Sequence, residues 1–167
     1  TELRIAIQVA ESSFAIAQEQ IKQVEDVFAR HPGGYEIVSV SDSKSEEARA
    51  RKEWSTVIQE HPDINVAINF AAESAEFCWE AIENNGLRDQ VLIYGADDIP
   101  ANLELIREGK ADGIVVTSFY QYGYRSVELL YDYLVNGKMP PQQEKTDLQI
   151  VDRTNVDTYQ ENENEDR

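Results

Sequence analysis

Cysteine is nearly absent from this chain. The single one, Cys78, stands in Phe77-Cys78-Trp79 inside a helical pattern, so no intrachain disulfide can form. Nothing local supplies a base to activate the thiol, and a small buried hydrophobe is the reading the pattern supports. Long apolar runs are missing too, and none approaches the roughly 20 residues a membrane-spanning helix needs. Thr1 leads straight into strand-like sequence without a basic segment and apolar run, so these residues are expected to hold no signal peptide. Because the first residue is not Met, that expectation says little about location. Cations are scarce: 15 Lys and Arg stand against 32 Asp and Glu, a net charge of −17. Such a surface repels phosphate backbones and anionic lipid alike. It disfavours nucleic acid and leaves neutral or cationic small molecules as the better-matched partners.

What is present is an alternation of two periodicities. Leu3–Val9 reads as a strand, and residues 14–30 carry Ala17, Ile21, Val24 and Phe28 at helical spacing. His31-Pro32-Gly33-Gly34 stops that helix. Tyr35–Val40 is a second strand, followed by a helix over 45–60 with Ala50, Trp54, Val57 and Ile58 on one side. Asn65–Phe70 is a third strand, and a third helix over 73–84 turns Phe77, Cys78, Ala81 and Ile82 inward. Val91–Tyr94 and Gly113–Thr117 are the fourth and fifth strands, separated by a helix over 100–108. A strongly periodic helix over 121–136 carries Tyr124, Val127, Leu130, Tyr131 and Leu134, and ends at Gly137 ahead of Pro140-Pro141. Segment 147–151 is expected to add a short strand or run along the sheet edge. Residues 160–167 are polar and acidic and read as a disordered tail. Five β-α units in succession imply an α/β fold with a three-layer, doubly wound parallel sheet of the flavodoxin-like type.

Function on such a sheet is decided by the loops at the carboxyl ends of the strands. The first, Ala10-Glu11-Ser12-Ser13-Phe14, has none of the glycines that let backbone amides approach a pyrophosphate. No dinucleotide or flavin site is expected. Strand three ends near Asn69-Phe70-Ala71 and strand five at Thr117, where a phospho-receiver domain would need Asp and Lys. His31 and His61 both precede proline at helix ends, where a solvated imidazole suits the helix dipole and no zinc ligands converge. Asp97-Asp98 is a carboxylate pair with no nucleophile to assign opposite it. No enzyme and no cofactor is read from this sequence.

Several segments resemble the C-terminal half of the ribose-type periplasmic sugar-binding proteins, a lobe shared with LacI-type repressors. They are Glu60-His61-Pro62-Asp63 with the strand Asn65–Ile68, Val91-Leu92-Ile93-Tyr94-Gly95-Ala96-Asp97, and Ile106-Arg107-Glu108-Gly109-Lys110. Gly123, Leu134-Val135-Asn136-Gly137-Lys138 and the closing run Val151–Tyr159 complete the series, which spans about residues 3–159 in matching order. The resemblance implies a solute-binding lobe, residues 1–159, without catalysis, in a periplasmic or extracellular membrane-anchored protein. Its partners would be a small polar ligand such as a sugar, a membrane permease or a sensor kinase, and a first lobe that this chain lacks. The closing run favours transport or sensing over the alternative, the effector domain of a cytoplasmic LacI-type regulator.

Residue by residue, the resemblance places a hydroxyl-accepting carboxylate at Asp97. The other family positions fall on Gln18 or Gln20 where an Arg is usual, on Ala72 with Glu73 beside it, and on Thr117 where a Gln is usual. The aromatic platform falls among Ser41, Ser43 and Ser45, and Phe14, Tyr94, Phe119 and Tyr120 are the rings that could supply such a contact or else pack in the core or against the other lobe. The ribose constellation is therefore altered, which points to a different ligand or a lost one. In the family, residues 119–147 belong to the first lobe. With that lobe missing, helix 121–136 is expected to fold back on its own sheet, and exchange of the helix with a second copy is the alternative.

Overall fold

The computed structural model describes residues 1–159, so the tail expected at 160–167 lies outside the described residues. In chain order the elements are β1 (Leu3–Val9), α1 (Ala15–Phe28), β2 (Tyr35–Asp42), α2 (Glu47–Glu60), β3 (Val66–Asn69), α3 (Ser74–Asn84), β4 (Leu92–Ala96), α4 (Pro100–Arg107), β5 (Gly113–Thr117), α5 (Phe119–Asn136) and β6 (Leu148–Asp152). They form one sheet in the order β2-β1-β3-β4-β5-β6. The first five strands are parallel, as the β-α alternation requires, and β6 closes the edge antiparallel to β5.

Strand register divides the core into two layers. Ile5 and Ile7 of β1 stand beside Val66 and Ile68 of β3 and share one face. With Val9, Ala17 and Val24 they form the layer under α1. Ala6, Ala67, Ile93, Ile114 and Val116 point to the opposite face and pack under α2, α3 and α4 with Trp54, Phe77, Ile82 and Ile106. The alternation that sets this division is the period of two along each strand. Cys78 is fully buried in the second layer, and burial pushes its thiol well above the usual range.

Polar side chains stitch the layers where hydrophobic patterning gives no instruction. Trp54 Nε1 donates to Asn69 Oδ1 at 2.9 Å, and Asn69 Nδ2 donates to the Tyr94 carbonyl at 3.0 Å. Helix α2, strand β3 and strand β4 are thus linked through one buried amide. Gln8, also fully buried, donates to Ser41 Oγ at 3.2 Å and to the Ala50 carbonyl at 3.3 Å. Glycine is favoured at 109, where φ is +75°, and a Cβ there would also displace the Arg153 guanidinium, 2.9 Å away.

Helix α5 departs from the sequence expectation. It does not fold back on the sheet, and none of its residues is buried. Its period correctly indicated an amphipathic helix but held no information about what covers the apolar side. Its polar side is occupied locally, by Arg125 pairing with Glu128 and Glu144 and by Lys138 bonding Asp132.

The fully enclosed Trp54 generates a stability prediction. Trp54→Ala should cost about 3–5 kcal/mol, the range for an aromatic deleted from a close-packed core, and leave Asn69 Oδ1 without its donor. Urea denaturation followed by far-UV circular dichroism measures this, and a loss below about 1 kcal/mol would contradict the packing described.

Candidate functional site

The carboxyl ends of the five parallel strands lie along one edge, and the loops leaving them carry most of the polar candidates. After β1 come Ala10–Phe14, and after β2 come Ser43–Glu46. After β3 come Phe70–Glu73, after β4 Asp97–Ile99, and after β5 Ser118. The three non-glycine residues with positive φ all sit here: Lys44 (56°), Ser45 (55°) and Asp97 (67°). Two consecutive left-handed residues turn the chain sharply out of β2, and a third turns it out of β4. Such conformations cost free energy and persist where surrounding contacts hold them.

Those contacts are explicit. The Ser43 and Lys44 amides donate to the Val9 and Ala10 carbonyls at 2.8 and 2.7 Å, locking the second loop against the first. Lys44 Nζ pairs with Glu11 and stands 3.6 Å from Asp42 Oδ2. Asp42 in turn accepts from the Ser12 amide at 2.6 Å and from Ser12 Oγ at 3.1 Å. The Lys44 hydrogen bond holds the Glu11 carboxyl below its usual range, aided by Ser13, while the same bond raises the Lys44 ammonium. Ser43 Oγ donates to Glu73 Oε1 at 2.9 Å, which ties the second loop to the third. Asn102, buried at the start of α4, donates to the carbonyls of Ala72, Ala96 and Asp97 at 2.9, 2.9 and 3.1 Å. One side chain thereby fixes the third loop to the fourth.

Asp97 stands apart within this network. Its amide donates to the Val115 carbonyl at 3.0 Å and its carbonyl accepts from Asn102, so its backbone is held on both sides. Its carboxylate is half-buried, yet no hydrogen bond or ion pair reaches it among the described residues. Burial raises its pKa above the usual carboxylate range, and the neighbouring Asp98 adds to the shift. Asp98 itself accepts from Tyr159 Oη at 2.6 Å, so the closing segment of the chain is latched to the same loop.

The sequence-derived candidates are therefore dispersed unevenly. Asn102 links the Asp97 carbonyl to that of Ala72, the residue before Glu73, and the Glu73 carboxylate itself is bonded to Ser43. Thr117 is half-buried at the end of β5, opposite Leu148 of β6. Phe14 is the exposed residue preceding α1, and the Gln18 amide donates to its carbonyl. Gln18 and Gln20 are two positions apart on α1, so they cannot both address one edge. The structure brings neither of them, nor Phe14, into a hydrogen bond or ring contact with Asp97, Glu73 or Thr117 among the described residues. Sequence reasoning passed over Lys44, Glu11, Asp42 and Asn102. A trace of Asn102 was available: it is a polar residue on the same buried helix side as Leu103, Leu105 and Ile106.

A concavity of about 370 Å³ opens at the opposite, amino edge beside Arg88, Leu92, Gly109 and Asp112. There the two terminal nitrogens of Arg88 are committed to the carbonyls of Val91 and Gly109 and to Asp112. The cavity is thus lined by groups that brace the sheet. Among the described residues no helix is long and apolar enough to cross a membrane, and no cluster of His, Cys, Asp and Glu is arranged to hold a metal ion.

Comparison with known proteins follows the same lines. No curated protein sequence matches the chain significantly. Solved structures do. A glucose-galactose binding protein from Geobacillus stearothermophilus superposes with a TM-score of 0.84 at 23% identity, over 92% of this chain and 54% of its own. An ABC transporter periplasmic solute binding protein from Actinobacillus succinogenes 130z with bound D-allose gives 0.81 at 22%, over 95% and 56%. A fructose binding periplasmic domain of a hybrid two-component system gives 0.80 at 21%, over 94% and 52%. At these identities the likeness establishes the fold, and the chain spans about half the length of each. The model of the periplasmic binding protein domain matches residues 1–139, most of the sequence. The parallel sheet, its carboxyl-edge loops and that match together make this chain a member of the periplasmic binding protein domain family.

Proposed function

We propose that the chain is one lobe of an extracytoplasmic solute-binding protein. It captures a small polar ligand, a sugar or a compound hydroxylated like one, at the carboxyl edge of its sheet and releases it unchanged. The observation that carries this reading is Asp97: a half-buried carboxylate, rigidly held by its backbone and left without a donor among the described residues. Burying such a group is unfavourable unless donors are supplied, and paired hydroxyls supply them. Glu73 and Thr117 flank it as further acceptors, Phe14 offers an apolar surface, and Gln18 or Gln20 offers an amide. Among the similar structures, one is named for glucose and galactose, one holds D-allose and one is named for fructose, which supports a carbohydrate. The same names include an ABC transporter component and a two-component system, which supports delivery to a permease or a sensor kinase. The second wall of the cleft comes from a first lobe, and closure of the two on the ligand is a hinge motion.

A panel of D-glucose, D-galactose, D-fructose and D-allose, added at millimolar concentration in a thermal-shift assay, tests the reading. A ligand at about 100 times its dissociation constant stabilises the folded state by about 2.7 kcal/mol. At least one sugar should raise Tm, and Asp97→Ala should remove the rise. No shift with any of the four would argue against the carbohydrate reading, and a shift retained in Asp97→Ala would remove that residue from the site.

The raised pKa of Asp97 has its own signature without ligand. The folded state binds this proton more tightly than the unfolded chain, so the contribution of Asp97 to stability declines as pH rises from the unfolded carboxyl value through the folded one. Above both values the penalty is complete. Asp97→Asn, which removes the charge and sacrifices no partner, should therefore raise Tm at neutral pH and match the parent chain in acid. Paired melting curves from acid to neutral pH measure the divergence. A variant less stable than the parent at neutral pH would show that the carboxylate is held by contacts not seen here.

A further inference from the structure

The closing run of the described chain returns to the candidate site. Strand β6 is antiparallel to β5, so it ends at the amino edge, where Asp152 pairs with Gly113. From there residues 153–159 run back beside α4. Arg153 lies against Gly109, Asp157 stands 3.8 Å from Arg107, and Tyr159 reaches Asp98. The run is held firmly along the way. Asn155 accepts from the Asp152 amide and donates to the Ile150 carbonyl, both at 2.9 Å. Asp152 accepts from the Thr154 amide at 2.8 Å and from its hydroxyl at 2.6 Å. Val156 is buried in the second core layer, and Tyr159 packs against the same layer. The phenol is therefore presented from a fixed base.

Its contact falls at a strained place. Asp97 has a φ of +67°, which a non-glycine residue keeps only where its surroundings impose it. Two restraints act on its own backbone, the bond to the Val115 carbonyl and the bond from Asn102. A third acts one residue further on. Tyr159 Oη donates to Asp98 Oδ2 at 2.6 Å, and a hydrogen bond to a carboxylate is among the stronger kinds. The bond also divides the carboxylate pair. Asp98 is committed to the wall of its own lobe, whereas the Asp97 carboxylate has no donor among the described residues. Second to burial, the Asp98 charge raises the proton affinity of Asp97, so where Asp98 is held matters to the acid beside it.

We infer that Tyr159 is a positioning residue for the Asp97 loop: its phenol anchors Asp98 and so holds Asp97 in its left-handed turn. The ligand role of that loop rests on the reading above; the anchoring does not. Anchor and acceptor both belong to this lobe, so the arrangement is independent of what a first lobe supplies. The inference also gives the closing run Val151–Tyr159 a task. Strand β6 ends at the edge remote from the site, and the residues after it carry one hydroxyl back.

Amide hydrogen exchange on the full-length protein, resolved by NMR, tests the anchoring without any ligand. Tyr159→Phe removes the hydroxyl and keeps the ring. It should speed exchange of the Asp97 amide about tenfold, the scale of one lost hydrogen bond to a charged group. The Asn65 and Leu92 amides, bonded at the opposite edge to the Arg4 and Asn65 carbonyls, should exchange as in the parent. Asp98→Ala should reproduce the effect, and it replaces Tyr159→Phe should that variant not fold. The double variant should be no faster than either single one, because both changes delete the same bond. An unchanged Asp97 amide would overturn the inference, and so would additive accelerations in the double variant. Equal acceleration at all three amides would also overturn it, since the tyrosine would then only stabilise the fold. Calorimetric titration with D-glucose, D-galactose, D-fructose and D-allose adds the functional arm. For any of them that the parent binds, Tyr159→Phe should raise Kd about tenfold. An unchanged Kd beside a loosened loop would overturn the positioning role. Binding of none of the four, with the Asp97 amide behaving as expected, would leave the anchor standing and count against the carbohydrate reading alone.

Discussion

A parallel strand can be re-entered only from the end where its neighbour began, so five parallel strands deliver all their outgoing loops to a single edge. The rest of this molecule follows from that constraint. It gathers Glu11, Asp42, Lys44, Glu73, Asp97 and Asp98, which are scattered over nearly ninety positions of sequence, into adjacent loops. It also obliges the helices to lie along the strands, which is why α2, α3 and α4 form one continuous layer. Nothing about the individual carboxylates would assemble them; the topology does.

Assembling so many acids in one place is unfavourable, and the chain manages it by distributing partners. Glu11 and Asp42 share the single ammonium of Lys44, Glu73 takes a serine hydroxyl, and Asp98 takes the Tyr159 phenol. Backbone strain at Lys44, Ser45 and Asp97 is held by amide-to-carbonyl bonds between neighbouring loops and by Asn102. Asp97 is the exception in this distribution. The difference between it and its neighbours is the reason the proposed ligand contact is placed there and not on the edge as a whole.

The layering was legible from sequence because burial repeats with a period. Ala17 and Val24 in α1, Ala50, Trp54 and Ile58 in α2, and Phe77, Cys78 and Ile82 in α3 all lie where periodicity puts them. Family resemblance pointed to Asp97 and to the carboxyl edge. The interior polar links were not legible. Gln8, Asn69 and Asn102 interrupt the apolar pattern, and nothing local states which distant carbonyl each will find. The ion cluster around Lys44 was missed for the same reason: Glu11, its nearest partner, comes from the loop after a different strand. Helix α5 shows the limit from the other side, because a stripe such as Val127, Tyr131 and Leu134 specifies that a face is apolar and says nothing of what lies upon it.

The position of Cys78 has a chemical consequence. Its sulfur has no exposed surface and its ionised form is disfavoured by the apolar layer around it. Attack on a disulfide requires both access and a thiolate, so mixed-disulfide formation with other thiols is closed to this residue while the sheet stays intact. The chain can thus enter an oxidising compartment carrying an unpaired cysteine without risk of covalent cross-linking through it, and any reagent that does modify the sulfur reports an opening of the layer beneath α3.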